Sequence, residues 1–313
     1  MFECREYSRR FRQKLITQSS STPRRVGVLV HPTRNVDTPV RILREWTAEH
    51  GTELVQIATP YPQRSVAKEG DAGDTDLIVS IGGDGTTLAA LRAGAEAGRP
   101  VLGIGCGSLG ALANVTVANM RRSLERFARG EWRPRPFPAL WIARSEGEAV
   151  FALNDVALVR ESGSQVRVSA YVDGTLFARF AGDGVVVSTP IGTSGYAISA
   201  GGPLVLPGID AYVLTPLPKH GGFAPPLVIG AGSELELDAA GSFGGVRLEV
   251  DGQVVGSGVG SVTVSFRGKM ATQVSFDDQE PLLSGLRRRR ILVDSPRFLA
   301  EDAREGLSSP PGT

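Results

Sequence analysis

The apolar run Leu77-Ile78-Val79-Ser80 passes without a break into Ile81-Gly82-Gly83-Asp84-Gly85-Thr86-Thr87 and then into the helix-like Leu88-Ala89-Ala90-Leu91. A strand that enters three glycines around one carboxylate, and then a helix, predicts a turn at the carboxyl end of a sheet. That edge is where α/β folds bind ligands. Glycine lets the backbone approach a ligand closely and adopt positive φ, and a helix start offers unpaired N–H groups to an anion, so phosphate is the expected guest. Asp84 is the odd member. A carboxylate beside phosphates is repelled unless a cation stands between them or it is there to take a proton, and this combination points to phosphoryl transfer. The other reading is a tight turn whose aspartate caps the following helix. The heptapeptide by itself leaves both open.

A chain of 313 residues with 41% hydrophobic content can bury a sizeable core and is expected to form two domains. The formal net charge of +1 gives no sign of a dedicated nucleic-acid binder. Cys4 and Cys106 are far apart and lack metal-ligand spacing to His31, His50 or His220, so neither a disulfide framework nor a structural zinc site is expected. No secretory leader and no apolar run long enough to span a bilayer is present, which leads us to expect a cytoplasmic protein without a membrane partner.

Residues 1–25 are rich in Arg, Ser and Gln without an apolar period and read as a flexible tail. Val26 to Val30 is a short buried strand ended by His31-Pro32-Thr33, and Asp37-Thr38-Pro39 opens a helix that stops at Gly51. Glu53 to Ile57 is a second strand, and Lys68 to Asp74 is read as a loop. After the glycine turn come a helix to about Gly98, the strand Val101 to Ile104 and a helix over Met120 to Arg129. Strands alternating with helices at this spacing predict a parallel, Rossmann-like sheet over 26–135.

Prolines 134, 136 and 138 mark a change of texture. Beyond them, over 136–276, short β-branched runs broken by glycine predict a mostly-β domain of stacked sheets. These runs are Phe151 to Leu153, Val156 to Val159, Val166 to Val172, Val185 to Val187, Leu235 to Leu237, Val246 to Val250 and Val262 to Phe266. Residues 277–300 are expected to pack back on the first domain, and 301–313 to form a tail. The run Arg287 to Arg290 reads as a solvated surface.

Gly105-Cys106-Gly107-Ser108-Leu109-Gly110 fits the dinucleotide fingerprint formally, but it follows a late strand and does not open a clean helix, which weakens a hydride-transfer reading. Asn154-Asp155 either holds ribose hydroxyls or an amide-bearing ring, or is simply a turn pair. The stretch from Gly182-Asp183-Gly184 through Thr193-Ser194-Gly195-Tyr196 to Ser199-Ala200-Gly201-Gly202-Pro203 packs hydroxyls and glycines after a buried strand, with one aromatic face in Tyr196. It is suited to a ribose and a base and unsuited to a core. No P-loop and no nucleophile elbow is present.

These features, with Thr215-Pro216, His220 and Asp251-Gly252-Gln253, stand in the order and approximate spacing of the NAD kinase family, which the chain resembles from about Val26 to Phe298. The glycine-aspartate turn alone is shared with diacylglycerol, sphingosine and phosphofructokinases. The resemblance implies an α/β domain and a β domain with the active site between them, in a homo-oligomer. It also implies Mg²⁺-dependent transfer of phosphate from ATP, or polyphosphate, to the 2′-hydroxyl of the adenosine ribose of NAD. Asp84 matches the catalytic aspartate; Gly82, Gly83, Gly85 and Thr86 line the phosphates. Asn154, Asp155, Asp183, Ser194, Gly195, Tyr196, Ser199 and His220 fall on substrate-binding positions.

Three departures stand out. Ala111 replaces a phenylalanine that packs on adenine, Ile191 and Gly195 alter the hydroxyl loop, and Lys219-His220-Gly221-Gly222-Phe223 replaces the usual sequence around the histidine. They leave open a kinase of the same fold acting on another ribose-containing acceptor, and a nucleotide-binding regulator without turnover.

Overall fold

The computed structural model describes residues 21–60, 62–107, 110–221, 223–239, 244–278 and 282–304. The chain divides into two compact units, Met1–Arg135 with Ala271–Thr313, and Pro136–Met270.

The first unit runs β1 (Arg25–Val30), α1 (Asp37–Glu49), β2 (Glu53–Ile57), β3 (Lys68–Gly70), β4 (Leu77–Gly82), α2 (Asp84–Ala97), β5 (Pro100–Gly105), β6 (Val115–Thr116) and α3 (Met120–Ala128). Its strands are parallel, in the order β3-β2-β1-β4-β5, with β6 on β5. β4 and β5 are buried along their whole lengths, which is why they read as unbroken apolar runs. Helix α1 turns Val40, Leu43 and Trp46 inward, and the Trp46 Nε1–H donates to Glu125 Oε1 of α3 at 2.8 Å, so the stripe that buries α1 also ties it to its neighbour helix. The stretch Lys68 to Asp74, expected as a loop, holds β3 and a 3₁₀ turn at Ala72–Asp74. This edge strand carries exposed Lys68 and Glu69 and so shows no apolar alternation.

The second unit is all antiparallel apart from its helical turns. It comprises β7 (Arg133–Arg144, whose first residues belong to the first unit), β8 (Val150–Ala152), β9 (Asp155–Arg160), β10 (Val166–Val172), β11 (Thr175–Gly182), β12 (Gly184–Ser188), α4 (Tyr196–Ser199), β13 (Ala211–Pro216), β14 (Leu227–Gly230), β15 (Glu234–Asp238), β16 (Val246–Val250), β17 (Gln253–Gly256) and β18 (Ser261–Ser275). One sheet has the order β11-β10-β15-β18, and the other β14-β13-β12-β9-β16-β17. Pro134, Pro136 and Pro138 do not interrupt β7. They occupy alternate positions, so the missing N–H groups all lie on one edge of the strand.

The six-stranded sheet has two unlike faces. Val156, Leu158, Val185, Val187, Tyr212, Leu214, Leu248 and Val250 enter the core shared with Val168, Leu235, Leu237 and Val264 of the other sheet. The register puts Asp155 opposite Ser188, and Ala157 opposite both Val186 and Glu249, so Asp155, Ser188, Glu249 and Arg247 share the opposite face. Ala197 and Leu217 pack there on Ala157, Val159 and Val186.

The end of β18 returns to the first unit, where Thr272 and Gln273 pair in parallel with Pro100 and Val101 of β5. Helices α5 (Leu282–Arg288) and α6 (Pro296–Arg304) follow in the same unit, with Leu286 fully buried. No described helix is long and apolar enough to cross a membrane.

Candidate functional site

Strand β4 delivers Gly82 and Gly83 to the carboxyl edge of the parallel sheet, where Gly83 is the extended N-cap of α2. The turn is tied down on both sides. Cys106 N–H donates to Gly82 O at 2.7 Å, and Thr87 N–H and Oγ1 both donate to Gly83 O, at 3.0 and 3.1 Å. A Cβ at Gly82 would stand 2.3 Å from Thr86 Oγ1, so that position accepts glycine only. Gly85 is exposed with nothing within 4 Å of its absent Cβ, and Thr86 is half-buried.

Asp84 does not cap the helix it begins; α2 has no side-chain cap. Its carboxylate instead takes three consecutive backbone amides from the loop after β5. Oδ2 accepts from Ala111 N–H, and Oδ1 from Leu112 and Ala113 N–H, all at 3.0 Å. Gly110 makes room for this clasp, because a Cβ there would lie 1.8 Å from Oδ1. The space a side chain would take at Gly110 is filled by Asp84. Ser108 and Leu109 of the same motif lie outside the described residues.

The arginine run does not behave as one solvated surface. Arg287 and Arg290 are exposed, but Arg289 is half-buried, donates through Nε to Gly285 O at 3.2 Å, and brings Nη1 to 3.4 Å from Asp84 Oδ2. Its Nη2 is buried without a hydrogen-bond partner among the described residues. The reason is positional. Leu286 of α5 is fully buried, and Arg289 follows it three residues on, just past the helix end.

In the second unit Asp251 and Gly252, with φ of 49° and 77°, turn β16 into β17. The Asp251 carboxylate accepts from Leu153, Asn154 and Asp155 N–H at 3.1, 2.7 and 3.3 Å. Asn154 is thereby fixed through its backbone, and its carbonyl accepts from Thr189 N–H at 2.9 Å. Gly192 must be glycine, since a Cβ would meet Asn154 O at 2.0 Å. Burial pushes the Asp155 carboxyl up to about 7, with the Asp251 and Glu249 carboxylates adding to the effect.

Tyr196 opens α4 with its side chain 42% exposed. Its hydroxyl is raised above its ordinary range by burial, then by Glu249, Asp155 and Asp183, with Arg247 opposing, so these five groups share one electrostatic neighbourhood. Asp183 pairs with Arg160 at 2.7 Å. Asp183 N–H donates to Pro218 O and His220 N–H to Ala181 O, which stitches the Asp183 and His220 loops together. Ser194 and Ser199 turn their hydroxyls onto the carbonyls of Ile191 and Gly195, at 3.0 and 3.4 Å, and Gly195 is the hinge between the 3₁₀ turn Gly192–Ser194 and α4. Ile191 is 6% exposed, so the apolar residue at this departure packs inward.

Four charged residues at these places carry no functional signal in the sequence, Arg34, Arg160, Arg247 and Glu249, and Arg289 stands in a run that reads as a solvated surface. Arg34 comes closest to a readable one, because it follows the end of a predicted strand. That it lies against the glycine turn depends on β1 pairing with β4, which no local pattern reveals. Arg247 and Glu249 pair with each other at 2.6 Å on a strand whose alternation reads as ordinary half-burial.

The chain is similar to known proteins over most of its length. Residues 13–132 match the ATP-NAD kinase N-terminal domain, and residues 153–276 its C-terminal domain. The NAD kinase of Acidobacterium capsulatum is 35% identical over 248 residues, 74% of this chain and 85% of that protein. That of Heliobacterium modesticaldum is 34% identical over 238 residues, 73% and 84% of the two. Among solved structures, an NAD kinase from Archaeoglobus fulgidus in complex with ATP superposes with a TM-score of 0.67 at 26% identity, covering 86% of this chain and all of that one (100%). Yeast NADH kinase complexed with NADH gives a TM-score of 0.72 at 20% identity over 87% of this chain and 89% of its own, a likeness of fold. With both of its domains matched in order, the chain belongs to the NAD kinase family.

Proposed function

We propose that this protein transfers the terminal phosphate of ATP to the 2′-hydroxyl of the adenosine ribose of NAD, forming NADP. The observation that carries the reading is Asp84. It is a lone carboxylate on a glycine turn at a helix start, with both oxygens held in fixed positions by named donors. A ribose hydroxyl is a weak nucleophile until its proton is taken, and a positioned base contributes about 10²–10⁴-fold. Oδ2 receives one amide at 3.0 Å and Arg289 at 3.4 Å, whereas Oδ1 receives two amides at 3.0 Å, so the weakest of the four contacts, the one from Arg289, is on Oδ2. Gly82, Gly83, Gly85 and Thr86 give the donor phosphates close access to backbone N–H groups.

Mg²⁺, when bound, would neutralise the triphosphate. Among the described residues no group of three or more His, Cys, Asp and Glu could hold a metal ion. In the second unit, Asp155, Asn154, Asp183 and Tyr196 are assigned to the acceptor nucleoside, with Ser194, Gly195, Ser199 and His220 shaping the loops around it. Asp155 and Tyr196 supply a carboxyl and an exposed ring on one face of the six-stranded sheet, as a ribose and a base require. The protein is assigned to the cytoplasm as a homo-oligomer.

A second reading, with another ribose-containing acceptor, is favoured by Ala111, which offers Asp84 its amide but no ring to a base. Incubation with Mg²⁺, ATP and NAD, followed by a strictly NADP-dependent dehydrogenase, tests the assignment. NADP formation is expected; ATP consumption only with a different nucleoside would move the acceptor to the second reading.

A further inference from the structure

In the parallel sheet the order β3-β2-β1-β4-β5 reverses direction between β1 and β4. The crevice beyond the carboxyl ends of two such strands is where open α/β sheets receive ligands. β4 contributes the glycine turn to that crevice. The first residues after β1 are His31-Pro32-Thr33-Arg34, held beside it by a 2.9 Å hydrogen bond from His31 N–H to Ile81 O.

The imidazole of His31 fixes this segment, since its Nδ1 accepts from Thr33 N–H at 3.2 Å and Arg34 N–H at 3.1 Å. Arg34 then lays its guanidinium across the turn. Nη1 donates to Cys106 O at 2.8 Å, and a Cβ built on Gly83 would stand 3.3 Å from Nη1 and 3.5 Å from both Cζ and Nη2. One built on Gly107 would lie 3.7 Å from the same Nη1. Two glycines therefore border one exposed guanidinium, and no carboxylate among the described residues pairs with it. Asp84, the nearest acid in sequence to the turn, is turned the other way, into the 111–113 amides. A planar group with most of its five N–H donors free, beside a glycine turn and a helix start, matches the geometry of phosphate oxygens.

We propose that Arg34 binds the phosphates of the phosphoryl donor, holding the triphosphate over Gly83 through the N–H groups not used by Cys106 O. This residue role rests on the kinase reading above only for the identity of the donor. The anion site itself rests on the switch point and on Arg34.

The test compares the full-length protein with Arg34→Gln and Arg34→Lys. Affinity for inorganic tripolyphosphate with Mg²⁺ is measured by calorimetry without acceptor, and KM is measured separately for ATP and NAD. A charge-assisted hydrogen bond of ordinary strength predicts that Arg34→Gln weakens tripolyphosphate binding and raises the ATP KM by about 10- to 100-fold, with the NAD KM unchanged. Arg34→Lys should recover part of the loss, since it keeps the charge but not the fork. Native-like affinity in a folded Arg34→Gln protein, or no tripolyphosphate binding by the wild type, overturns the proposal. The two readings separate cleanly. NADP formation with an unchanged ATP KM in Arg34→Gln removes Arg34 and keeps the kinase. Absence of NADP alongside Arg34-dependent tripolyphosphate binding removes the NAD acceptor and keeps the anion site.

Discussion

Asp84 and Asp251 each close a carboxylate over three successive backbone amides, the first over Ala111 to Ala113 and the second over Leu153 to Asp155. The local device is the same, but the surroundings differ. Asp84 has a guanidinium 3.4 Å from Oδ2. Asp251 stands near two further carboxylates: burial pushes the Asp155 carboxyl up to about 7, with Asp251 and Glu249 adding to the effect. One clasp is compensated by positive charge and suits a site that receives phosphate and takes a proton from a hydroxyl. The other gathers negative charge and leaves a neighbouring acid about half protonated near neutrality, able to donate as well as accept.

Removing the Asp84 charge should give the largest effect. Asp84→Asn is expected to lower the rate of NADP formation by about 10²–10⁴-fold. An amide would also turn an N–H against the 111–113 donors, so the melting temperature should fall with the rate. Near-native turnover would remove Asp84 as base.

Asp155 offers the next largest change. Its pKa is raised on folding from 3.8 to about 7. The folded state therefore binds this proton more tightly than the unfolded chain. The stabilising contribution is complete below about pH 4 and is lost as pH rises to about 7, a span of up to about 4 kcal/mol. Asp155→Asn should cancel that dependence, so the stability difference between variant and wild type should grow across this window in denaturant titrations. A constant difference would mean that the carboxyl is ionised throughout.

The Asp251 clasp can be loosened without touching the first unit. Asp251→Asn should cost about 1–3 kcal/mol by leaving amides short of an acceptor. It should also lower the titration of Asp155 and raise the acceptor KM more than the ATP KM. Equal changes in both would break the division of labour between the two clasps.

Arg289→Ala gives the smallest shift. Half-exposed ion pairs contribute about 1 kcal/mol or less, so a loss in kcat of about fivefold or less is expected with little change in stability. A far larger loss in kcat would mean that the guanidinium acts on the reacting phosphate as well as on Asp84.

Much of this is legible in the sequence. The apolar runs of β1, β2, β4 and β5 and the amphipathic α1 and α3 announce themselves, because burial writes itself into the sequence wherever a strand is covered on both faces or a helix on one. The glycines at 82, 83 and 85 mark the turn for the same local reason: side chains do not fit. β3 and β11 carry no such signal, because an edge or half-exposed strand needs no apolar alternation. β7 was hidden by prolines whose alternate spacing a strand tolerates.

The sequence by itself determined the two fold classes, the glycine turn with its aspartate, and the order of motifs that places the chain among NAD kinases. Those properties depend on neighbours a few residues away. The tertiary structure alone decided which way Asp84 points, which of four arginines meets it, that Asp155 sits among acids, and that Arg34 lies over Gly83. Each of these is a contact across a sheet register or a chain return. A carboxylate's chemistry is set by the charges and amides within a few ångströms, and those are brought there by residues up to 205 positions distant.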